Sequence, residues 1–496
     1  MPPEILMAIC GQLCYCCTAV GPRDYRIPRQ QYGLPTEKPC FDYIPKFTLS
    51  QLSKTCRILH EIAQPFLYHY VCGRASSTRI ACLIRTLSSR PKLGQHVRWL
   101  DMDVPYQSHD RFWDHLSKQG PLIGEADWIG EAARQLGPWP WRFDEGCFDG
   151  RMLVLCILLL LTPNIRVLNV PGFSGRRMET LKKYLGCTAS ISRLTLPRLE
   201  TLNMMSTFTA RQVADVMSKG HWCRRPPQPD FFLGLAPNLS TLCMREVISR
   251  PTDAFTQRIP HIQTLILGPY NHTTSETLGK LLELSPHLER LALHRGFADG
   301  PENTWADRQT AGQLWDLLWQ RSATLRDISL DTTEMGGGEA APEIKALCSL
   351  QDFPKLKVLR VDPRTLRAVM PSHYEAWPVR ETFPLLFSGV LPPTLKELVL
   401  WLPRWGDDFL ELGKWTSPLR RGSCESLEKV IVAPVMKCEN PLLNVSDLKG
   451  PFPEAAAEMK VAFAEMGVEF DVMNSSGIWW SMRMVKCKAL DSCWFR

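Results

Sequence analysis

The chain contains no apolar run able to span a bilayer. Its longest, residues 152–161, falls far short of the roughly 20 residues required and reads as a buried helix. No H-E-x-x-H, G-x-S-x-G, phosphate-loop or dinucleotide fingerprint occurs, so no catalytic residue and no cofactor is assigned. The glycine run at 336–338 lacks the Lys and Ser/Thr of a phosphate loop and reads as a loop tip. No basic run or basic-aromatic interleaving is present, and a net charge of +7 over 496 residues is mild, which argues against nucleic acid as a partner. Acidic Glu4 stands where a secretory leader would carry positive charge, and no small-residue cleavage site follows a sufficient apolar core. The expectation is a chain that is neither exported nor membrane-bound, located in the cytoplasm, the nucleus or both. At 45% hydrophobic and 22% charged residues it is not disordered in composition.

Cysteine, by contrast, is abundant, with 18 residues. Most stand singly at apolar positions, as Cys56, Cys156 and Cys243 do, where a reduced thiol packs as a small hydrophobe. The tightest group, Cys10, Cys14, Cys16 and Cys17, holds one C-x-x-C pair. A structural zinc site normally adds a second pair or a Cys/His pair at recognisable spacing, so no metal ligand is assigned. Sequons at Asn238, Asn271, Asn444 and Asn474 read as chance matches in a chain that is not secreted.

The organising feature is a recurring apolar triplet with gaps of three and two, seen most clearly in residues 286–294, PHLERLALH, at Leu288, Leu291 and Leu293. It recurs from Val97, Leu100 and Met102 through Ile165, Leu168 and Val170 to Leu427, Val430 and Val432. The last two apolar residues alternate with polar ones, the period of a strand with one buried face, and the first marks the turn into it. Several triplets follow a proline (Pro163, Pro237, Pro260, Pro286, Pro354) and a stretch of helical spacing such as Leu278, Leu281, Leu282 or Leu314, Leu317, Leu318. Intervals between first residues run from 23 to 40, with one of 68 between Val97 and Ile165. A unit this small cannot bury its own apolar face, so units must stack strand on strand. The pattern resembles the leucine-rich repeat family, with Thr207, Gly296 and Thr333 where that family's asparagine would stand, which implies an irregular arc.

The first part differs. Pro2, Pro3 and Glu4 open an amphipathic helix carrying Ile5, Leu6, Ile9 and Leu13. Residues 21–46, with five prolines, read as a loop. Thr48 and Gln51 form a capping-box signature ahead of Leu49, Leu52, Cys56 and Leu59, and Pro65 breaks that helix or opens a third. Residues 2–13 (PPEILMAICGQL) and 49–71 (LSQLSKTCRILHEIAQPFLYHYV) resemble the two halves of an F-box, as found at the start of many fungal F-box proteins. The second half carries the family's order in Leu52, Cys56, Arg57, Leu59, His60, Ala63, Pro65, Leu67 and Tyr68. An N-terminal helical cap on the array would need the same amphipathic helices.

The expected fold is therefore α/β. A three-helix F-box over 1–72 precedes an irregular leucine-rich-repeat-like solenoid over 73–433 with a parallel sheet on its concave face. An insertion at 105–150 is either an added segment or one decayed repeat. Residues 434–496 form a C-terminal cap and an aromatic tail, in which Val468, Phe470 and Val472 could make a closing strand after a helix over 454–466.

The resemblance implies a non-catalytic substrate-recognition subunit of a cullin-RING ubiquitin ligase of the SCF type. Its helices would dock on the S-phase-kinase-associated adaptor and, through it, a cullin. Pro3, Ile5, Leu6, Ile9, Leu49, Leu52, Leu59 and Leu67 are the adaptor-binding residues by resemblance. An unknown protein would be held by the array, and the strand register places Arg245, Arg290, His294, Arg360 and Trp401 on the face opposite the buried leucines. A repeat scaffold or inhibitor unconnected with ubiquitin is the alternative. A hydrolase on an irregular array has no motif behind it.

Overall fold

In most described triplets the first residue closes a turn with its amide and the other two build a strand. The amide of Leu239 donates to Ala236 O, that of Leu288 to Ser285 O, and that of Leu356 to Phe353 O. In each case the proline (Pro237, Pro286, Pro354) is the second residue of the turn, where its fixed φ is favoured and no N–H is needed. The residue after the proline stitches the turn to the preceding one: Asn164 Nδ2 donates to Gln95 O, Asn238 Nδ2 to Pro197 O, and Thr394 Oγ1 to Leu356 O.

The structure, a computed structural model, describes residues 2–18, 39–72, 77–102, 150–171, 195–205, 230–244, 259, 261–267, 275–294, 311–331, 350–361, 391–402, 426–434 and 452–472. The described residues up to His261 form one unit and those from Ile262 onward a second. Both are α/β, with helices alternating with parallel strands.

The first unit opens with helices α1 (Pro3–Leu13), α2 (Tyr15–Thr18), α3 (Pro39–Thr55) and α4 (Arg57–Tyr68). They lead directly into β1 (Tyr70–Cys72), then α5 (Ser77–Ser89), α6 (Pro91–Gly94) and β2 (Trp99–Asp101). Next come α7 (Gly150–Leu161), β3 (Val167–Pro171), β4 (Thr201–Met205), α8 (Asp230–Leu235) and β5 (Thr241–Met244). Strands β1 to β5 pair in sequence order, all parallel, and the triplets align: Leu100 with Leu168, Leu168 with Leu202, Leu202 with Leu242. Helix α7 is the long apolar run, buried without interruption from Val154 to Leu159.

The second unit runs β6 (Thr264–Leu267), α9 (Ser275–Leu284), β7 (Arg290–His294), α10 (Ala311–Trp319) and β8 (Asp327–Asp331). A 3-10 turn (Leu350–Asp352), β9 (Val358–Val361), β10 (Glu397–Leu402), β11 (Lys429–Pro434), α11 (Phe452–Glu465) and β12 (Glu469–Val472) complete it. The same register continues, from Leu265 opposite Leu291 through to Val430 opposite Phe470. The last two apolar residues of each triplet are fully or almost fully buried in both units. Each such side chain contributes roughly 1.5–3 kcal/mol of transfer free energy.

Several local expectations are corrected. Helix α3 begins at Pro39, not Thr48, so residues 39–46 are helical rather than loop. The break falls at Cys56, whose extended backbone (φ −156°, ψ 168°) precedes α4, while Pro65 sits inside α4. The bend is held by His60, whose Nδ1 donates to Ser53 O near the end of α3, an orphan carbonyl otherwise. Strand β1 lies at Tyr70–Cys72, where the sequence reads as a continuing helix. The 68-residue interval inserts no strand into the pairing, because β2 pairs directly with β3. The closing strand is present: β12 pairs with β11, and Phe463 of α11 stacks on Phe470 with centroids 5.2 Å apart. The insertion at 105–150 (residue 150, the start of α7, excepted), the glycine run at 336–338, the residues in the asparagine position (Thr207, Gly296, Thr333) and the tail from 473 lie outside the described residues.

Candidate functional site

Helices α1, α3 and α4 pack around a small core of Cys10, Cys14, Leu49 and Ala63, with Leu13, Leu52, Ile62, Phe66 and Leu67 against it. This sorts the eight residues expected to bind an adaptor. Leu49 is buried, and Leu52 and Leu67 pack against the core, so these three hold the helices together. Leu6 and Leu59 are half-buried, while Pro3 is exposed. Ile5 and Ile9, one turn apart on α1, are 49% and 41% exposed, and Met7 is also exposed. Ile58 on α4 and Phe47 on α3 add two further large apolar side chains in water. A helix end whose apolar residues face both a core and solvent is suited to docking a partner through the solvent-facing set.

Beside this core lies a group that sequence reading did not assemble. Cys14 Sγ and Cys17 Sγ each lie 3.4 Å from His69 Nδ1, although 55 and 52 residues separate them from it. Cys14 occupies the bend between α1 and α2, and His69 the junction of α4 with β1. The Cys14 and His69 side chains are buried and Cys17 is exposed. A hydrogen bond from the Cys16 side chain, then the bond and charge of His69, bring the Cys14 thiol down to about 4 against its burial. Burial and the Cys14 charge push Cys17 up to about 11. Both directions favour a thiolate at Cys14 over one at Cys17. Arg98 Nη1, 3.8 Å from Cys17 Sγ, faces the same group.

On the sheet, the face opposite the strand leucines is more closed than the sequence implies. Its central row in the second unit includes Ala292, Ser329, Arg360 and Val399, all buried. Arg360 is 7% exposed and Trp401 2%, so neither stands on an open surface as expected of cargo-binding residues. Arg360 is engaged internally, its Nη1 with Asp327 on β8 and its Nη2 with Glu397 on β10. Arg290 is half-buried; Arg245 and the side chain of His294 lie outside the described residues. On the same face Val399 of β10 is buried, whereas Ile431 of β11 is half-buried. The charged pairs Arg166–Glu200, Arg326–Glu289, Lys396–Glu428 and Lys429–Glu469 link neighbouring repeats at the strand starts. Exposed pairs of this kind are worth about 0–1 kcal/mol each and serve register more than stability.

No helix among the described residues is long and apolar enough to cross a membrane. No protein-family model matches the chain, and no curated protein matches it either.

Proposed function

We propose that the chain is a substrate-recognition subunit of a cullin-RING ubiquitin ligase of the SCF type. It docks on the S-phase-kinase-associated adaptor through α1 and recruits a protein through its repeats. Supporting this reading is one coincidence. The F-box-like residue order at 49–71 falls on helices that pack α1 by its inner side and leave Ile5 and Ile9 exposed. The repeats fit the leucine-rich class because strands β2 to β5 and β6 to β11 each carry the same apolar triplet and pair in the same register within their units. Arg290, with Arg245 and His294 by residue order, is the candidate for cargo contact, whereas Arg360 and Trp401 serve the interior. Catalysis belongs to the partners, and the work is done in the cytoplasm, the nucleus or both.

The test is affinity capture of the full chain with mass spectrometry, which reports adaptor and cargo together. Ile5→Asp combined with Ile9→Asp should abolish adaptor capture with the circular dichroism unchanged, since central apolar anchors commonly cost 2 kcal/mol or more each. Unsubstituted protein that captures no adaptor but does capture a protein through its repeats would instead support the scaffold reading.

A further inference from the structure

We propose that Cys14 Sγ, Cys17 Sγ and His69 Nδ1 are three ligands of a zinc ion, with solvent completing the coordination on the side where Cys17 is exposed. The three atoms lie within 4.8 Å of one another. In a tetrahedral site with Zn–S of about 2.3 Å and Zn–N of about 2.0 Å, sulfur and nitrogen ligands stand about 3.6 Å apart. Both sulfur-to-nitrogen distances here are 3.4 Å. Nδ1 has one proton or one lone pair, yet two sulfurs stand equally close to it. A cation between them serves all three atoms.

The ligand types select the metal. Two thiolates and an imidazole suit zinc and are poor ligands for magnesium or calcium, which take oxygen. Two thiolates neutralise the charge of a divalent ion, and the Arg98 guanidinium beside Cys17 is the outer partner that spreads the thiolate charge. The fold also holds the ligands in place. The His69 amide donates to Phe66 O, and its carbonyl accepts from both Arg98 N and Trp99 N, so the residue is fixed at the start of the sheet. Its ring packs on Phe66 with centroids 5.0 Å apart. The Cys17 amide donates to Cys14 O, closing the turn that presents both sulfurs on one side. The ion would staple the α1–α2 bend to the α4–β1 junction, a structural role that does not depend on the ubiquitin reading.

The experiment uses the full-length chain, purified reduced, with any affinity tag removed. Elemental analysis should find about one more zinc per chain in the unsubstituted protein than in Cys17→Ser. Cobalt loaded in place of zinc should give a thiolate-to-cobalt charge-transfer band and the intense visible bands of tetrahedral coordination. Both should be lost in Cys17→Ser and kept in Cys56→Ser, which removes an exposed cysteine elsewhere. Cys17 is exposed, so its variant should keep the parent circular dichroism, and His69→Asn provides a second, thiol-independent removal. Zinc content equal in parent and both variants, weak octahedral cobalt bands, or a Cys14–Cys17 disulfide in the reduced-purified protein would each overturn the site.

Discussion

Arg360 Nη1 on β9 lies 2.6 Å from Asp327 Oδ1 on β8, while the same guanidinium reaches Glu397 Oε1 on β10 at 3.1 Å. One buried cation thereby ties three neighbouring strands of the second unit. Removing it leaves the largely buried Asp327 carboxylate and the half-buried Glu397 without their cation, so Arg360→Met should destabilise the unit by up to about 3–5 kcal/mol in equilibrium denaturation. Lys in its place should recover only part of this, because an ammonium cannot reproduce the planar fork.

The same pair gives a pH dependence with a definite sign. Burial pushes the Asp327 carboxyl up from its ordinary value, and the charges of Arg360 and then Arg290 oppose that rise. Loss of Arg360 lets the folded-state pKa climb further above the unfolded value. The folded state then holds a proton that the unfolded state releases, a contribution complete below the unfolded pKa and lost as pH rises through the folded one. Arg360→Met should therefore lose less stability relative to the parent in mildly acidic buffer than at neutrality. Denaturation midpoints of both proteins across that range would check this; a gap that does not widen with pH would contradict it.

Gly94 at the end of α6 permits a backbone contact between consecutive repeats. A Cβ there would sit 1.9 Å from Leu161 O at the end of α7, an overlap relieved only by moving backbone. Gly94→Ala should lower the melting temperature sharply. Gly234→Ala, in α8 with nothing within 4 Å of the added carbon, should be neutral or stabilising by about 0.5–1 kcal/mol.

Helix α11 ends in a Schellman motif: Gly467, at φ 77°, donates to Ala464 O, and Val468 donates to Phe463 O. An L side chain in this left-handed conformation costs about 1–2 kcal/mol. Gly467→Ala should lose that much. Hydrogen exchange should quicken in α11 and β12 before it does in β8 or β9, since the closing strand depends on this turn.

Exposure separates two classes of apolar residue in the N-terminal helices. Leu49→Ala, at the centre of the small core, should cost about 2–5 kcal/mol through the cavity it leaves. Ile5→Ser and Ile9→Ser should leave thermal stability nearly unchanged. Equal losses at all three positions would mean that the outer side of α1 is covered in the folded protein.

The repeat was legible in the sequence because its determinants are local. A turn with proline at its second position, a leucine whose amide closes that turn and two alternating apolar residues all lie within about ten residues. Stacking like units then aligns like residues, so the register of Leu168, Leu202 and Leu242 follows from the pattern alone. The closing strand around Phe470 was legible for the same reason. Helix boundaries were not: α3 starts at Pro39, ahead of the capping signature at Thr48, and the bend came at Cys56, where His60 closes the end of α3. Only tertiary structure could bring His69 to the Cys14–Cys17 pair, because the helices between them set that distance and no spacing along the chain encodes it. Likewise, alternation told which side of β9 Arg360 faces, but not that neighbouring carboxylates on β8 and β10 would claim it for the interior. A side chain's direction is a property of its own backbone; its partners and its access to water belong to residues far away in the chain.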